Sequence, residues 1–302
     1  MTSGRVLALL GPTASGKSAL ALTVAEARNA AGRPTEIVAI DAFTVYRGMD
    51  VGTAKPDPAA RARVPHHLID VIDPSEELTV VRFRDLAREA IARIHERGAT
   101  ALLVGGSGLY WRAVIDDLGF PPTDAALRSD IERRFDGDAV AAHAALSAVD
   151  AAAAEAIGSR NLRRIVRAIE VTELTGRRFS EWDDAWQRYE SVYADLQVAC
   201  LEPDTATLRA AIDERAAAMV EAGLLDEVAR LRAAPRSRTA AAAIGYAEAE
   251  AVLTGAADRD DLVRAIADRT WRYARRQRSW FRADPRCSVT EPEVVLSGWA
   301  GA

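Results

Sequence analysis

The chain has 302 residues, 49% hydrophobic and 27% charged, with a formal charge of −5 at neutral pH. That balance excludes a disordered or fibrous protein and leaves room for one large or two medium hydrophobic cores. Its two cysteines, Cys200 and Cys287, lie in no CxxC arrangement, which excludes a disulfide framework or cysteine zinc site and points to a reducing compartment.

The first element is an apolar run, Val6-Leu7-Ala8-Leu9-Leu10, that reads as a strand and empties into Gly11-Pro12-Thr13-Ala14-Ser15-Gly16-Lys17-Ser18, a complete GxxxxGK[ST] phosphate loop. Glycines let backbone N–H groups turn in around phosphate oxygens, Lys17 supplies a positive charge, and the Ser18 hydroxyl is placed to hold Mg²⁺. Ala19, Leu20, Leu22 and Val24 follow at helical spacing, so the loop opens a helix whose dipole also favours anions. A diphosphate or triphosphate is the expected ligand, held by Gly11, Thr13, Ala14, Ser15, Gly16, Lys17 and Ser18.

A second strand, Glu36 to Ile40, runs into Asp41 and then Ala42-Phe43-Thr44-Val45-Tyr46-Arg47-Gly48. A loop with Gly48, Gly52, Pro56 and Pro58 follows, then Leu68 to Ile72, a helix over about 79–97, and a strand, Ala101 to Val104, that ends in Gly105-Gly106-Ser107-Gly108. Many phosphate-loop ATPases carry an acidic residue at such a strand end, where this chain has a hydroxyl. In a doubly wound sheet the strand C-termini line the ligand crevice, which places Asp41 and Ser107 opposite the phosphate loop. Composition alone also permits a turn or cap aspartate at 41 and a turn serine at 107. His66 and His67 point apart on any regular element and His95 and His143 stand alone, so no histidine metal site is expected.

From Pro121-Pro122 the pattern turns helical and alanine-rich to about Leu174, then passes through a Trp- and Tyr-bearing segment to Tyr189. Tyr193 to Leu201 reads as a returning strand, with helices over about 205–232, 244–253 and 258–282. The expected fold is α/β, a phosphate-loop NTPase-like parallel sheet with helices on both faces, built from 1–116 and 193–302, plus an inserted all-helical lobe over 117–192. No stretch is long enough for a secretory signal or a membrane span, so a cytoplasmic protein with no membrane partner is expected, and nothing marks an obligate protein partner. Arginine clusters at Arg160, Arg163, Arg164 and Arg167, and again in Thr270 to Arg282, where it alternates with Trp and Tyr. Such a run offers guanidinium forks for phosphates and flat faces for bases, or else is an amphipathic helix with aromatics inward and arginines in water.

These motifs together carry a family resemblance. GPTASGKS, DAFTVYRGMDVGTAKP, PHHLIDVIDP, LLVGGSGLY, NLRRIVRAIEVTELTGRRFS, AIGY and YARRQRSWFR stand in the order and spacing of the tRNA dimethylallyltransferase (IPP transferase) family, over about residues 11–285. The resemblance implies transfer of a dimethylallyl group from dimethylallyl diphosphate to N6 of the adenosine at tRNA position 37, with Mg²⁺, and a lobe that grips the anticodon stem-loop. Asp41 then becomes the general base, since adenine N6 is a poor nucleophile and must lose a proton as the C–N bond forms. Ser107 would hydrogen-bond near the reacting centre, while Asp41, Ala42, Phe43, Thr44, Arg128, Arg163, Arg164 and Arg167 would contact the flipped base and its RNA.

The chain departs from the family pattern at four positions. Thr44 stands where Gln is usual, Trp271 where a basic residue is common, and Thr205 and Ala211 where arginines facing the diphosphate are expected. Arg209 and Arg215 are the nearby cations that could take over. Beside the tRNA enzyme stand an adenylate (free nucleotide) dimethylallyltransferase, which needs no RNA lobe, a phosphate-loop small-molecule kinase, which needs a metal-binding acid, and an RNA-binding relative without catalysis.

Overall fold

The computed structural model describes residues 4–182 and 184–301. Five strands, β1 (Val6–Leu10), β2 (Thr35–Ile40), β3 (His66–His67), β4 (Thr100–Gly105) and β5 (Leu196–Cys200), form one sheet in the order β3-β2-β4-β1-β5. Every pairing in it is parallel. A parallel sheet is stable only with both faces covered, and β1 meets that condition by being buried at all five positions. Its side chains divide by the period of two: Val6, Ala8 and Leu10 enter one apolar cluster, Leu7 and Leu9 the other.

The second of these clusters is closed by α1 (Lys17–Ala30) and α15 (Pro292–Gly301), which contributes Val295 and Trp299. The first is closed by α3 (Val80–Glu96), α4 (Gly108–Ile115), α10 (Thr205–Glu221), α11 (Leu224–Leu231), α13 (Tyr246–Leu253) and α14 (Leu262–Ala283). Short helices α2 (Pro58–Arg63) and α12 (Arg238–Ala241) complete this unit. The expected helix over 205–232 is two helices, because Gly223 takes φ +94° between α10 and α11. Residues 68–72 are a loop rather than a regular element. Leu68 and Asp70 have φ of +63° and +56°, and the Asp70 carboxylate is held there by Lys55 and Arg61.

Chain contacts divide the molecule into residues 1–116 with 191–302, and residues 117–190. Ser191 and Val192, placed by sequence with the lobe, lie with the sheet unit. Asp116 bridges Ser191 in antiparallel fashion and the Val192 N–H donates to the Ile115 carbonyl at 2.8 Å. The smaller unit is helical: α5 (Ala125–Phe135), α6 (Ala139–Val149), α7 (Ala151–Ile157) and α8 (Leu162–Thr175), then a 3₁₀ turn (Phe179–Trp182) and α9 (Asp184–Gln187). Aspartates at 124, 138 and 150 and Asn161 cap the first four helices through side-chain bonds to free N–H groups. Ile131, Leu146, Ile165, Val166 and Ile169 form its own apolar cluster.

Candidate active site

Sheet register brings the site together. Leu10 pairs with Gly105 and Cys200, and Ile40 with Gly105, so the residues after all four strands emerge at one level. Gly11, Asp41, Gly106, Ser107 and Leu201 therefore share the C-terminal edge of the sheet. A side chain at Gly105 would run 2.3 Å from the Ile40 carbonyl, so only glycine permits this approach.

The phosphate loop turns through φ +154° at Gly11, +62° at Ala14 and +81° at Gly16 before α1 begins at Lys17. Neighbouring helices pin it. The Thr13 N–H donates to Gln277 Oε1 of α14 at 2.8 Å, and Arg215 of α10 donates to Thr13 Oγ1 at 3.1 Å. Lys17 Nζ donates to the Pro12 carbonyl at 3.1 Å. Burial, and next the Arg215 guanidinium, push the Lys17 ammonium from 10.5 down to about 8, with Asp41 pulling the other way. Burial lowers Arg215 as well, again opposed by Asp41. The Ser15 hydroxyl is buried without a hydrogen-bond partner among the described residues, an unusual state that an arriving anion would relieve.

Asp41 combines both readings of its sequence position. Its Oδ1 accepts from the N–H groups of Phe43 at 2.8 Å and Thr44 at 3.2 Å, an Asx turn that fixes the carboxylate. The second oxygen makes no hydrogen bond among the described residues, and Asp41 lines a cavity of about 60 Å³. Thr13, Phe43, Thr53, Arg215, Thr270 and Tyr273 share that cavity's polar and aromatic lining. Its apolar wall is Ile212, Ala216, Met219, Ala243, Ile244 and Ile266. Burial and the Asp41 carboxylate raise the Tyr273 phenol, which is hydrogen-bonded to Gln277.

The remaining expected residues divide. Phe43 is half-buried on the cavity, whereas Ala42 and Thr44 are buried, and the Thr44 hydroxyl has no hydrogen-bond partner among the described residues. Ser107 occupies the N-cap position of α4 without a side-chain cap, beside the loop but off the cavity lining. Of the two cations near the missing arginines, Arg209 is bound outward to Asp213 and Asp268, while Arg215 reaches the cavity. Exposed Ser18 follows Lys17 as α1 begins, and no group of three His, Cys, Asp or Glu side chains able to hold a metal occurs among the described residues.

The aromatic and basic run on α14 also divides. Tyr273 lines the cavity, Trp271 packs under Arg209, and Arg278 and Arg282 pair with Glu202. In the helical unit Arg128 and Arg167 both bind Glu170, which is 0% exposed, at 2.8 and 3.0 Å, and Arg167 also donates to the carbonyls of Pro121 and Pro122. Arg163 and Arg164 are exposed on the first turn of α8. Tyr273 and Gln277 lie in the Thr270 to Arg282 run singled out from sequence, though without these particular roles, whereas the apolar wall was not singled out. The only signal for that wall is the helical spacing of Ile212, Ala216 and Met219 on the face next to Arg215.

Comparison with known proteins decides the family. The profile of the IPP transferase family matches residues 44–284. The chain belongs to the IPP transferase family. It is 46% identical over 300 residues to the tRNA dimethylallyltransferase of Bifidobacterium animalis subsp. lactis (strain AD011), covering 98% of this chain and 86% of that one. Among solved structures it resembles the tRNA isopentenylpyrophosphate transferase of Bacillus halodurans, with TM-score 0.70, 34% identity and coverage of 99% and 95%. It also resembles a eukaryotic dimethylallyltransferase acting on tRNA, with TM-score 0.76, 25% identity and coverage of 92% and 70%. The parallel sheet found here is the architecture of those transferases, and no described helix is long and apolar enough to cross a membrane.

Proposed function

We propose that this IPP transferase family member moves a dimethylallyl group from dimethylallyl diphosphate to N6 of adenosine 37 in tRNA, beside the anticodon. One observation carries the reading to residues: a single cavity is lined by Asp41, whose second carboxylate oxygen makes no hydrogen bond among the described residues, by Arg215 beside the phosphate loop, and by an apolar wall. Diphosphate, reacting carbon and attacking amine each find a matching surface there.

In this reading the loop amides, Lys17 and Arg215 bind the diphosphate and stabilise the charge that grows on it as the C1–O bond breaks. The electron pair of that bond leaves with the diphosphate, the adenine N6 lone pair forms the new C–N bond, and Asp41 takes the N6 proton. The Asx turn keeps the carboxylate aimed during this transfer. Phe43 borders the same space and offers an apolar face to a base taken out of its stack. Ser18 and the diphosphate oxygens would hold Mg²⁺, which supplies further charge neutralisation when bound. A one-hydroxyl protein contribution fits an ion that keeps most of its shell in water and substrate phosphate.

Arg163 and Arg164 are the surface cations assigned to RNA phosphates, and Arg128 and Arg167 are assigned to holding the helical unit in shape. The two free cysteines accord with a cytoplasmic location. The test is incubation with labelled dimethylallyl diphosphate and, in parallel, tRNA, AMP and ATP. Label entering tRNA at adenosine 37 is the expected outcome. Preferential labelling of AMP would establish the free-nucleotide enzyme instead, and phosphate transfer from ATP the kinase.

A further inference from the structure

The cavity beside Asp41 is asymmetric, and its apolar side is built by few residues. Along α10, Ile212, Ala216 and Met219 recur at intervals of four and three and so form one stripe, with Arg215 on the same turn as Ala216. Ile266 of α14 and the Ala243-Ile244 pair complete the apolar lining. Ile212, Ala216, Ala243 and Ile266 are each 1% exposed, and Met219 is 9% exposed, so this wall is part of the packed core and cannot open freely.

Two magnitudes bear on what fits. A benzene ring is accommodated in an engineered cavity of about 150 Å³, and the space here is about 60 Å³. The narrow part of the space is therefore smaller than a benzene-sized cavity, and the most adaptable member of its apolar wall is Met219, with three rotatable bonds and no branch. From the level of Arg215 to that of Met219, α10 rises four residues, or about 6 Å at ~1.5 Å per residue. One more isoprene unit adds four chain carbons, about 6 Å of chain at ~1.5 Å per bond, and the buried wall leaves no place for it.

We infer that Met219 and Ile266 act as the stop that limits the transferred group to five carbons, with Ala216 providing the room the five-carbon chain needs. The inference rests on the prenyl-transfer reading above and extends it from chemistry to substrate length. Discrimination by such a wall follows from overpacking, since an added methylene in a hydrophobic pocket is rejected by about ten- to two-hundredfold.

The experiment measures binding of three ligands with Mg²⁺ present, namely dimethylallyl diphosphate, geranyl diphosphate and inorganic diphosphate, together with tRNA prenylation from the first two. In the parent, dimethylallyl diphosphate should bind best and geranyl diphosphate should be used at least a hundredfold less efficiently. Met219→Ala should raise the kcat/KM ratio of geranyl to dimethylallyl substrate at least tenfold while inorganic diphosphate binds as before. Ile266→Val, a milder truncation from the facing helix, should shift the ratio the same way by a few-fold and covers the case in which Met219→Ala does not fold. Ala216→Leu should act oppositely, raising KM for dimethylallyl diphosphate at least tenfold with inorganic diphosphate unaffected. Parental ratios in the folded variants overturn the length stop alone. A parent that binds dimethylallyl diphosphate no better than inorganic diphosphate overturns both the stop and the prenyl-transfer reading.

Discussion

The phosphate loop and α8 both carry cations, but the fold treats them in opposite ways. Around the loop, Lys17 and Arg215 are drawn together in a desolvated pocket beside Asp41, and the loop is fixed through Thr13 from two helices. On the helical unit, Arg163 and Arg164 stand in solvent, while Arg128 and Arg167 are spent on one buried carboxylate. Partly buried cations held before a ligand arrives give strong, oriented interactions with one small anion. Exposed ones give weak, salt-screened attraction that suits a long polyanion. The comparison predicts large, specific losses at the loop and small, graded ones on α8.

The largest effect is expected at the reacting centre. Asp41→Ala should lower turnover by roughly 10² to 10⁴ with tRNA affinity nearly intact, read from single-turnover rates and from binding measured separately. Parental turnover in this variant would remove Asp41 as the base. Next comes the lobe's interior: Glu170→Ala leaves Arg128 and Arg167 without their shared carboxylate, and should cost the helical unit about 3 kcal/mol or more of stability, seen in denaturant melts. If that variant melts as the parent does, the two arginines are free for RNA after all.

Arg215→Ala should raise KM for dimethylallyl diphosphate by roughly ten- to a hundredfold, the loss of about one charged hydrogen-bonding group. Arg209→Ala, whose side chain is bound outward, should change it by less than about twofold. Equal effects would erase the distinction between the two cations that α10 presents. A pH experiment sharpens the same point. Lys17 sits at about 8 in the free protein, so above that pH it is largely neutral and must take up a proton when an anionic ligand binds. Calorimetry in buffers of differing ionisation heat should show uptake from this site that grows as pH rises through 8, is small near pH 7, and disappears in Lys17→Met. The smallest effect belongs to Arg163 and Arg164. Replacing each with alanine should flatten the slope of log K against log salt for tRNA by something under about one unit.

Much of this was readable in the amino-acid sequence, for reasons that can be traced. The phosphate loop is local, so eight consecutive residues declare it, and long buried strands such as Val6–Leu10 declare themselves by continuous apolarity. By contrast β3 is only His66–His67, too short to show any period, and its strand character comes from pairing with Ile37 and Val38. The apolar run from Leu68 looked more regular, yet positive φ at Leu68 and Asp70 and the ion pairs of Asp70 make it a loop. Helix α15 was unforeseen because its role is to cover α1 with Val295 and Trp299, a tertiary demand. At the site, Asp41 followed from strand-end logic. Whether Arg209 or Arg215 faces inward turned on less than two helical turns of phase, which spacing alone does not set. That Arg128 and Arg167 serve Glu170 was half visible, since Arg167 and Glu170 are three residues apart on α8. The other half, Arg128, arrives from α5, forty-two residues away.

The bridge between Asp116 and Ser191 gives the sheet unit a single point of insertion. The chain leaves the sheet unit and re-enters it at adjacent, hydrogen-bonded residues, and the buried Asp116 carboxylate is clasped there by Arg112 and Arg286. To the sheet unit, everything from residue 117 to 190 is therefore one closed loop. The entropy of closing a loop grows only with the logarithm of its length, about 0.6 kcal/mol for each doubling. Segments of very different size are therefore tolerable between these two residues at little cost to the sheet, so the helical unit is free to be remodelled while the strands and the phosphate loop stay as they are.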